Sequence, residues 1–566
     1  MMLPVRAVFR VPLLFSLLVL FALQAMRAAE LYVSTSGTQS GPGTMEQPFD
    51  LMTAFSGQVS QPGDTFWLLG GNYAVGHIDT SIQGAAGNPI TFCQMPGEKA
   101  RVDGSIAFFE SEGYVILRDF ELYSSDTNRA SSQVGVGFEV TDIQIIPGIS
   151  SFAPNLSFIN LTVHDQTRHG IYISRAASNN VVYGCVIYNN GWTSPDNAEG
   201  HGLSVQGTNG TTEVSENVVF NNSGATMHVY EDFPDGQLTG VTMDGNVAFG
   251  AGAIQNVRPY RDWIVGADAP ALKADRIVFN NNMGYVPAES SVPEEVQIGR
   301  QGVNGSVSVL NNYLPQGLWM NNWSHATVTG NVFATQREYL VRLDQTQAAL
   351  QAQWNQNSYC RFPRDGDFLY NGAEYDFAGW RTATGFDQSS TYSPGRPSGT
   401  KVFLRPNRYE NGRANIIVYN WDKLSRVAVD VSSVLVPGAA YEVRNAQDFM
   451  GEPVLRGTFD GRPLELPMTG LTVATPNGPL LTPASTGPMF NAFVLLSRFV
   501  RLAIVSMEDK VEISWPTKAG RWVLQFNASM TGDWRDFPNG PAVRGDSYVV
   551  HDSFSESRFY RLRTLQ

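Results

Sequence analysis

Between Leu156 and Arg342 the chain keeps returning to one short pattern: a β-branched run, an asparagine or glycine, a second apolar run, a turn and a third apolar run. The anchors are Asn160, Gly184, Asn217, Asn246, Asn282, Asn312 and Asn331, as in Phe-Ile-Asn160-Leu-Thr-Val and Thr-Gly-Asn331-Val-Phe-Ala. They recur at a spacing of roughly 20–35 residues, the range of stacked repeat units. No unit of that length buries a core alone, so the coils must stack into a parallel β-helix. Asparagine suits the turns because it tolerates the left-handed conformation, and stacked amides can pair from coil to coil. A propeller needs four strands per blade at a regular period, which is absent here.

Strand side chains alternate between faces. Aligning the third strand of each coil puts Ile171, Leu203, Met227, Ile254, Val296, Leu318 and Leu340 inward. The residues that follow, Tyr172, Ser204, His228, Gln255, Gln297, Trp319 and Val341, then form an outward ladder at about 4.8 Å per coil.

Around this solenoid the rest of the 566 residues falls into an order. Arg6 and Arg10, the apolar run from Pro12 to Ala22, and Ala25, Ala28 and Ala29 read as a signal peptide over 1–29. Export to the periplasm, the cell surface or the medium is expected, with an uncleaved anchor as the alternative. The β-helix with its N-terminal cap is expected over 30–343, Asp50 capping a short helix that runs to about Phe55. A capping or linking region over 344–399 holds Trp354 and Trp380. Alternating runs such as Val402–Arg405, Asn415–Tyr419, Val427–Val431 and Tyr441–Arg444 predict an antiparallel β-sandwich over 400–498. A small β module over 499–566, with Val511–Trp515 and Phe559–Leu562, completes an all-β chain.

Three cysteines in an exported chain of this size give no disulfide framework. A net charge of −13 and a pI near 5.1 argue against a nucleic-acid partner. An acidic glycan would need a locally basic groove. Four of the seven histidines, His164, His169, His201 and His228, fall in three consecutive coils, and such clustering points to a site. Plainer readings stand beside that one. His164 aligns with Tyr188, Phe220 and Phe249 as one of a stacked aromatic column, Asp165 aligns with Asn189 and Asn221 as a turn residue, and His169 precedes glycine at a corner.

The series Leu31–Gly37, Gly41–Thr44, Gln47–Ala54, Gln61–Asp64 and Gly70–Tyr73 resembles the N-terminal entry of secreted parallel β-helix proteins. Val163-His-Asp165, Tyr188–Trp192, Gly200-His-Gly202 and Met227-His-Val-Tyr230 are similar to bacterial right-handed parallel β-helix proteins of the pectate lyase-like superfamily. That superfamily contains pectate and alginate lyases, uronan epimerases and polygalacturonases. The resemblance implies a polysaccharide partner, acidic in character. Gly200-His-Gly202 echoes a polygalacturonase fragment, but the Asn-x-Asp, Asp-Asp and Arg-x-Lys motifs that accompany it are missing, and only Lys99 and Lys273 lie in the solenoid.

Two functions are therefore weighed: a lyase or epimerase on a uronic-acid-containing polysaccharide, and a non-catalytic glycan-binding or cell-surface structural β-helix protein. Removing the proton beside a carboxylate needs a base and a group that holds the carboxylate as charge builds. His201 or His228 is the candidate base, Tyr172 or Tyr230 the proton donor, and Arg168 with Arg258 the clamp, since guanidinium offers a fixed fork of donors. Gln255, Gln297 and Trp319 are further candidate contacts for sugar. Asp165, Glu199, Glu231 and Asp232 are candidate oxygen ligands for calcium.

Overall fold

The structure is a computed structural model. It describes residues 28–564 except 208–209, 233–235, 269–272, 288–292, 294, 348, 498–501, 508, 517–521, 529–533, 545–546 and 554–557. The charged and apolar parts of the expected signal peptide lie outside the described residues. No described helix is long and apolar enough to cross a membrane.

The chain winds as a right-handed parallel β-helix with three faces. One is a 12-stranded parallel sheet from Glu30–Val33 to Gln351–Asn355. A second face stacks Glu121–Tyr123, Thr162–His164, Val186–Tyr188, Val218–Phe220, Val247–Phe249 and Met283–Tyr285. The third stacks Ile149–Ser151, Ile171–Ile173, Leu203–Val205, Met227–Glu231, Trp263–Ala267, Val296–Ile298 and Leu318–Asn321. Inward residues of all three faces fill one continuous apolar core. Asp50 caps the helix Leu51–Phe55 by accepting the Thr53 N–H at 2.8 Å, and Phe55 stacks on Phe92 at 4.1 Å to close the first coils.

The turn between the first two faces divides labour between adjacent positions. Asn217, Asn246, Asn282, Asn312, Asn331 and Asn357 form a buried ladder, with amide to amide distances such as 2.9 Å for Asn217 to Asn246 and 3.0 Å for Asn331 to Asn357. The residue before each carries the left-handed conformation, as at Glu216 (φ 59°), Asn281 (φ 52°) and Gln356 (φ 58°). The anchors Asn160 (φ 54°) and Gly184 (φ 66°) belong to this second column, because the register of Val186 on Val218 sets Cys185 opposite Asn217.

Two further expectations are corrected. Parallel pairing does not stop at 343 but continues through Phe368–Tyr370 and Thr391–Pro394, since Asn357 prolongs the ladder. In the third face, Trp263 replaces Ile254 opposite Met227, and Val341 replaces Leu340 opposite Leu318. The chain leaves the coil after Phe249 and returns only at Trp263, so Ile254 and Gln255 lie on an excursion that strand alternation does not count.

A five-stranded antiparallel sheet follows, in the order Thr400–Pro406, Ala414–Asn420, Phe490–Ser497, Ala440–Asn445, Leu455–Thr458. One of its sides packs with the pair Arg426–Val429 and Leu464–Pro467. The other covers the second face: Tyr188, Phe220, Phe249 and Tyr285 are buried against Ile417, Tyr419 and Phe490. Arg408 and Glu213 pair at 2.8 Å across the same junction. The described residues beyond 502 form two small antiparallel sheets.

Candidate functional site

Outward residues on the third face run Tyr172, Ser204, His228, Ile264, Gln297, Trp319 and Arg342, in strict parallel register. Met227 and Val229 point into the core, so His228 and Tyr230 leave the strand on the open side. One residue ahead of the glycine turns, His169 and His201 stack at 5.0 Å, and His201 meets His228 at 4.0 Å between ring centres. Tyr230 continues the row at 4.5 Å from His228.

The three imidazoles are not equivalent. His169 Nδ1 accepts the His201 backbone N–H at 3.0 Å, and His201 Nδ1 accepts the Ala225 N–H at 2.9 Å. A neutral ring whose Nδ1 accepts must carry its proton on Nε2. Both are thus donors, held in one tautomer by the ladder of the coil. The His228 imidazole takes no hydrogen bond from a described residue and is only half-buried. Burial, with neighbouring positive charge, pushes the His201 pKa down to about 3 and holds His169 and His228 well below the ordinary histidine value. All three are neutral at neutral pH. Of the two candidate bases, His228 alone offers a free lone pair.

The hairpin Trp192–Thr193 with Ala198–Glu199 and the excursion ending at Asp262 roof His201. Tyr260 from the excursion donates to the Ala198 carbonyl at 2.6 Å and stands edge-on to His201 at 6.0 Å. Glu199 hangs from the hairpin 3.6 Å from Arg168 and 3.9 Å from His169 Nε2, with Oε2 buried and unpartnered. Burial raises its pKa against the pull of Arg168.

Arginines line this face although the whole chain is acidic. Arg168 is half-exposed, Arg258 lies 5.3 Å from the Tyr260 ring, and Arg300 lies 5.1 Å from the Tyr230 ring. Arg300 also pairs with Asp268 at 3.1 Å. Arg300 and Tyr260 escaped the sequence reading, because one follows a strand through Gly299 (φ 87°) and the other sits on the uncounted excursion.

The other expected contacts divide. Tyr172 is half-buried and already donates its phenol proton to Gln206 at 2.5 Å. Gln297 faces out but is buried. The Trp319 ring is packed by Arg261 and Arg342 at 4.9 and 4.1 Å, which leaves it less open to a sugar than expected. Gln255 is off the face, binding the Ser223 and Arg258 carbonyls.

The four carboxylates do not converge on one cation. Asp165 is a left-handed turn residue (φ 57°) on the far side of the coil, bound to Arg129 at 2.9 Å and His164 at 2.7 Å. Glu231 is fully buried and accepts the Gly207 N–H at 3.0 Å, whereas Asp232 is exposed. Among the described residues, only His169, Glu199 and His201 bring their ligand atoms within 4.8 Å of one another. Their imidazoles present N–H groups rather than lone pairs to that point, which does not fit calcium or any other cation. His164 takes the plainer reading: it stacks between Tyr123 at 5.7 Å and Tyr188 at 4.8 Å, in the column that continues through Phe220 and Phe249.

Residues 31–262, which hold this site as far as the excursion, match the family described as Pel9A-like, right handed beta helix region. Over that stretch the chain is similar to pectate lyase-like β-helix proteins. Pectate lyase PEL9 of Emericella nidulans is 27% identical over 171 residues, 29% of this chain and 40% of that protein. The chain thus spans less than half the length of that relative. Among solved structures, that of pectate lyase Pel9A aligns over 59% of this chain and 80% of its own, at 15% identity and a TM-score of 0.34. A rhamnogalacturonan lyase structure aligns over 57% and 88%, at 14% identity and a TM-score of 0.33.

Proposed function

We propose that this chain acts outside the cytoplasm on a uronic-acid-containing polysaccharide, removing the proton beside the sugar carboxylate to give β-elimination or epimerisation. The observation that carries the reading is the free imidazole of His228 on an open, arginine-lined face, next to two imidazoles locked as donors. His228 accepts the proton. Arg168, Arg258 and Arg300 hold the carboxylate, and the Nε2–H groups of His169 and His201 are further donors for the charge that develops. A bound carboxylate offsets the arginine field, so His228 becomes more basic when substrate is present.

The proton donor to the leaving oxygen moves from the tyrosines to Glu199. Tyr172 has committed its proton to Gln206, while Glu199 has a raised pKa and an unpartnered oxygen. No step is routed through a metal. The non-catalytic reading draws on the roof, which leaves His201 only 7% exposed. Incubation with alginate, pectate and glycosaminoglycan, following unsaturated uronate by ultraviolet absorbance and epimerisation by deuterium uptake from D2O, decides between them. Retained polymer binding with neither signal on any substrate would overturn the catalytic reading.

A further inference from the structure

The third face runs on toward the N-terminus, and there its outward side chains make a second constellation. His77 and Asp79 stand two apart on the strand Gly71–Asp79, so both leave the same side. Parallel register sets His77 beside Ser105 and Asp79 beside the small Ala107. A bulge between Ala74 and Gly76 turns His77 toward its neighbour. Gly104 permits the close approach, since a side chain there would lie 2.5 Å from the Gly76 carbonyl oxygen.

His77 Nδ1 lies 2.7 Å from Ser105 Oγ, and Nε2 lies 3.0 Å from Asp79 Oδ1. With Nε2–H given to the carboxylate, Nδ1 is the acceptor for the serine hydroxyl proton. Ser105 and His77 line a cavity of about 460 Å³, together with Gln144, Gln166 and Thr167. The Gln144 amide takes no hydrogen bond from a described residue and is a free donor at that wall.

We propose that Ser105, His77 and Asp79 hydrolyse carboxylic esters carried by a polysaccharide. Ser105 Oγ gives its proton to His77 Nδ1 and attacks the ester carbonyl carbon, and the Gln144 amide donates to the oxyanion. The bond to the alcohol oxygen then breaks, and that oxygen leaves with the proton from His77. Water, deprotonated by the same nitrogen, attacks the acyl-serine and releases the carboxylate. Asp79 orients the imidazole and stabilises its charged form. Four inter-strand steps separate Ser105 from His228 along the face, about 19 Å at about 4.8 Å per step, so one polymer can lie across both.

The full-length chain is assayed on 4-nitrophenyl acetate, acetylated pectin and methyl-esterified pectin, and labelled with a fluorophosphonate probe. Acetate release identifies an O-acyl ester as substrate, and methanol release a uronate methyl ester. The expected results are a probe adduct mapped to Ser105 and a fall in ester hydrolysis of about 10²-fold or more in Ser105→Ala and in His77→Gln. Asp79→Asn, at a side chain 66% exposed, should fold normally and lose less. Should Ser105→Ala fail to fold, the wild-type adduct and Asp79→Asn still decide the matter. Hydrolysis no faster than buffer, absence of an adduct on Ser105, or an unchanged rate in Ser105→Ala would overturn the proposal. None of these readouts depends on uronate unsaturation, so the elimination reading stands or falls separately.

Discussion

The second and third faces of the solenoid are built by the same coils, yet their outward histidines sit in opposite electrostatic surroundings. His164 on the second face and His201 on the third are both buried, and burial disfavours charge in both. Around His164 that pull is outweighed by Asp165 at 2.7 Å and Glu121 at 3.1 Å, and its pKa rises. His201 has no carboxylate so placed; burial acts unopposed by one, Arg168 and Arg258 add positive charge, and its pKa falls. Burial alone therefore does not decide the state of a histidine here; the partners within hydrogen-bond reach do. The covered face ties its histidine between two carboxylates, which favour its charged form, and the open face keeps its histidines neutral.

The sharpest way to break this contrast is to remove the cover. A chain stopped after Gly399 would fold as an independent solenoid if contacts between neighbouring coils were sufficient. The aromatic column of Tyr188, Phe220, Phe249 and Tyr285 predicts otherwise: its exposure should abolish cooperative melting and cause aggregation, read by calorimetry and light scattering. A soluble, cooperative fragment would show that the second face needs no cover.

Next in size, Phe220→Ala should cost about 3–5 kcal/mol in denaturant unfolding, while Trp319→Ala on the open face should cost clearly less, since its ring is only half-buried. Equal losses would erase the distinction between the faces. Within the open face, His228→Ala should lower turnover by about 10²-fold or more with little change in melting temperature. His201→Ala should also destabilise, by about 1–3 kcal/mol, because the Ala225 N–H loses its acceptor. The reverse ordering would return His228 to the scaffold.

The smallest effect is on pH dependence. A histidine whose pKa is lowered on folding stabilises fully above its unfolded value, about 6.5, and that stability is lost as pH falls toward the folded value. For His201 the window runs from the ordinary value of 6.5 down to about 3, with His169 and His228 acting in the same direction. His164 acts oppositely: its raised pKa stabilises below the unfolded value, and the gain is lost as pH rises through the folded one. Among these histidines three are lowered against one raised, so their joint contribution falls on acidification, whereas the raised carboxyls of Asp262, at about 6, and Glu199 act in the opposite sense. His201→Gln should therefore lose less melting temperature than the unaltered chain between about pH 6.5 and about pH 4.

The coil repeat, the third-face register from Ile171 to Met227 and the stacking of His164 were legible because each depends on alternation within a strand. Asn160 and Gly184 were assigned to the wrong column because the ladder and the left-handed turn occupy neighbouring positions, which a pattern of residue types cannot separate. Gln255 was misplaced because an excursion of unknown length breaks the count. The difference between His201 and His228 was hidden for another reason: it rests on which backbone N–H points at which ring nitrogen, and sequence carries no trace of that. The cover over the second face was likewise invisible, since outward aromatic residues on a strand read the same whether a partner packs on them or a ligand does.

The asparagine ladder has a direction, and it ends. Each amide gives to the next coil and takes from the one before, so a further coil could always be added. At the last step the acceptor is Asp387, fully buried, which takes the Asn357 amide at 3.1 Å, the Tyr359 hydroxyl at 2.8 Å, the Trp380 indole at 2.8 Å and the Ser390 hydroxyl at 2.5 Å. Every one of these contacts uses Asp387 as acceptor, and none hands a hydrogen bond onward. The residue that satisfies the final rung thus also extinguishes the relay, and one solenoid cannot template the next into a fibre through this column.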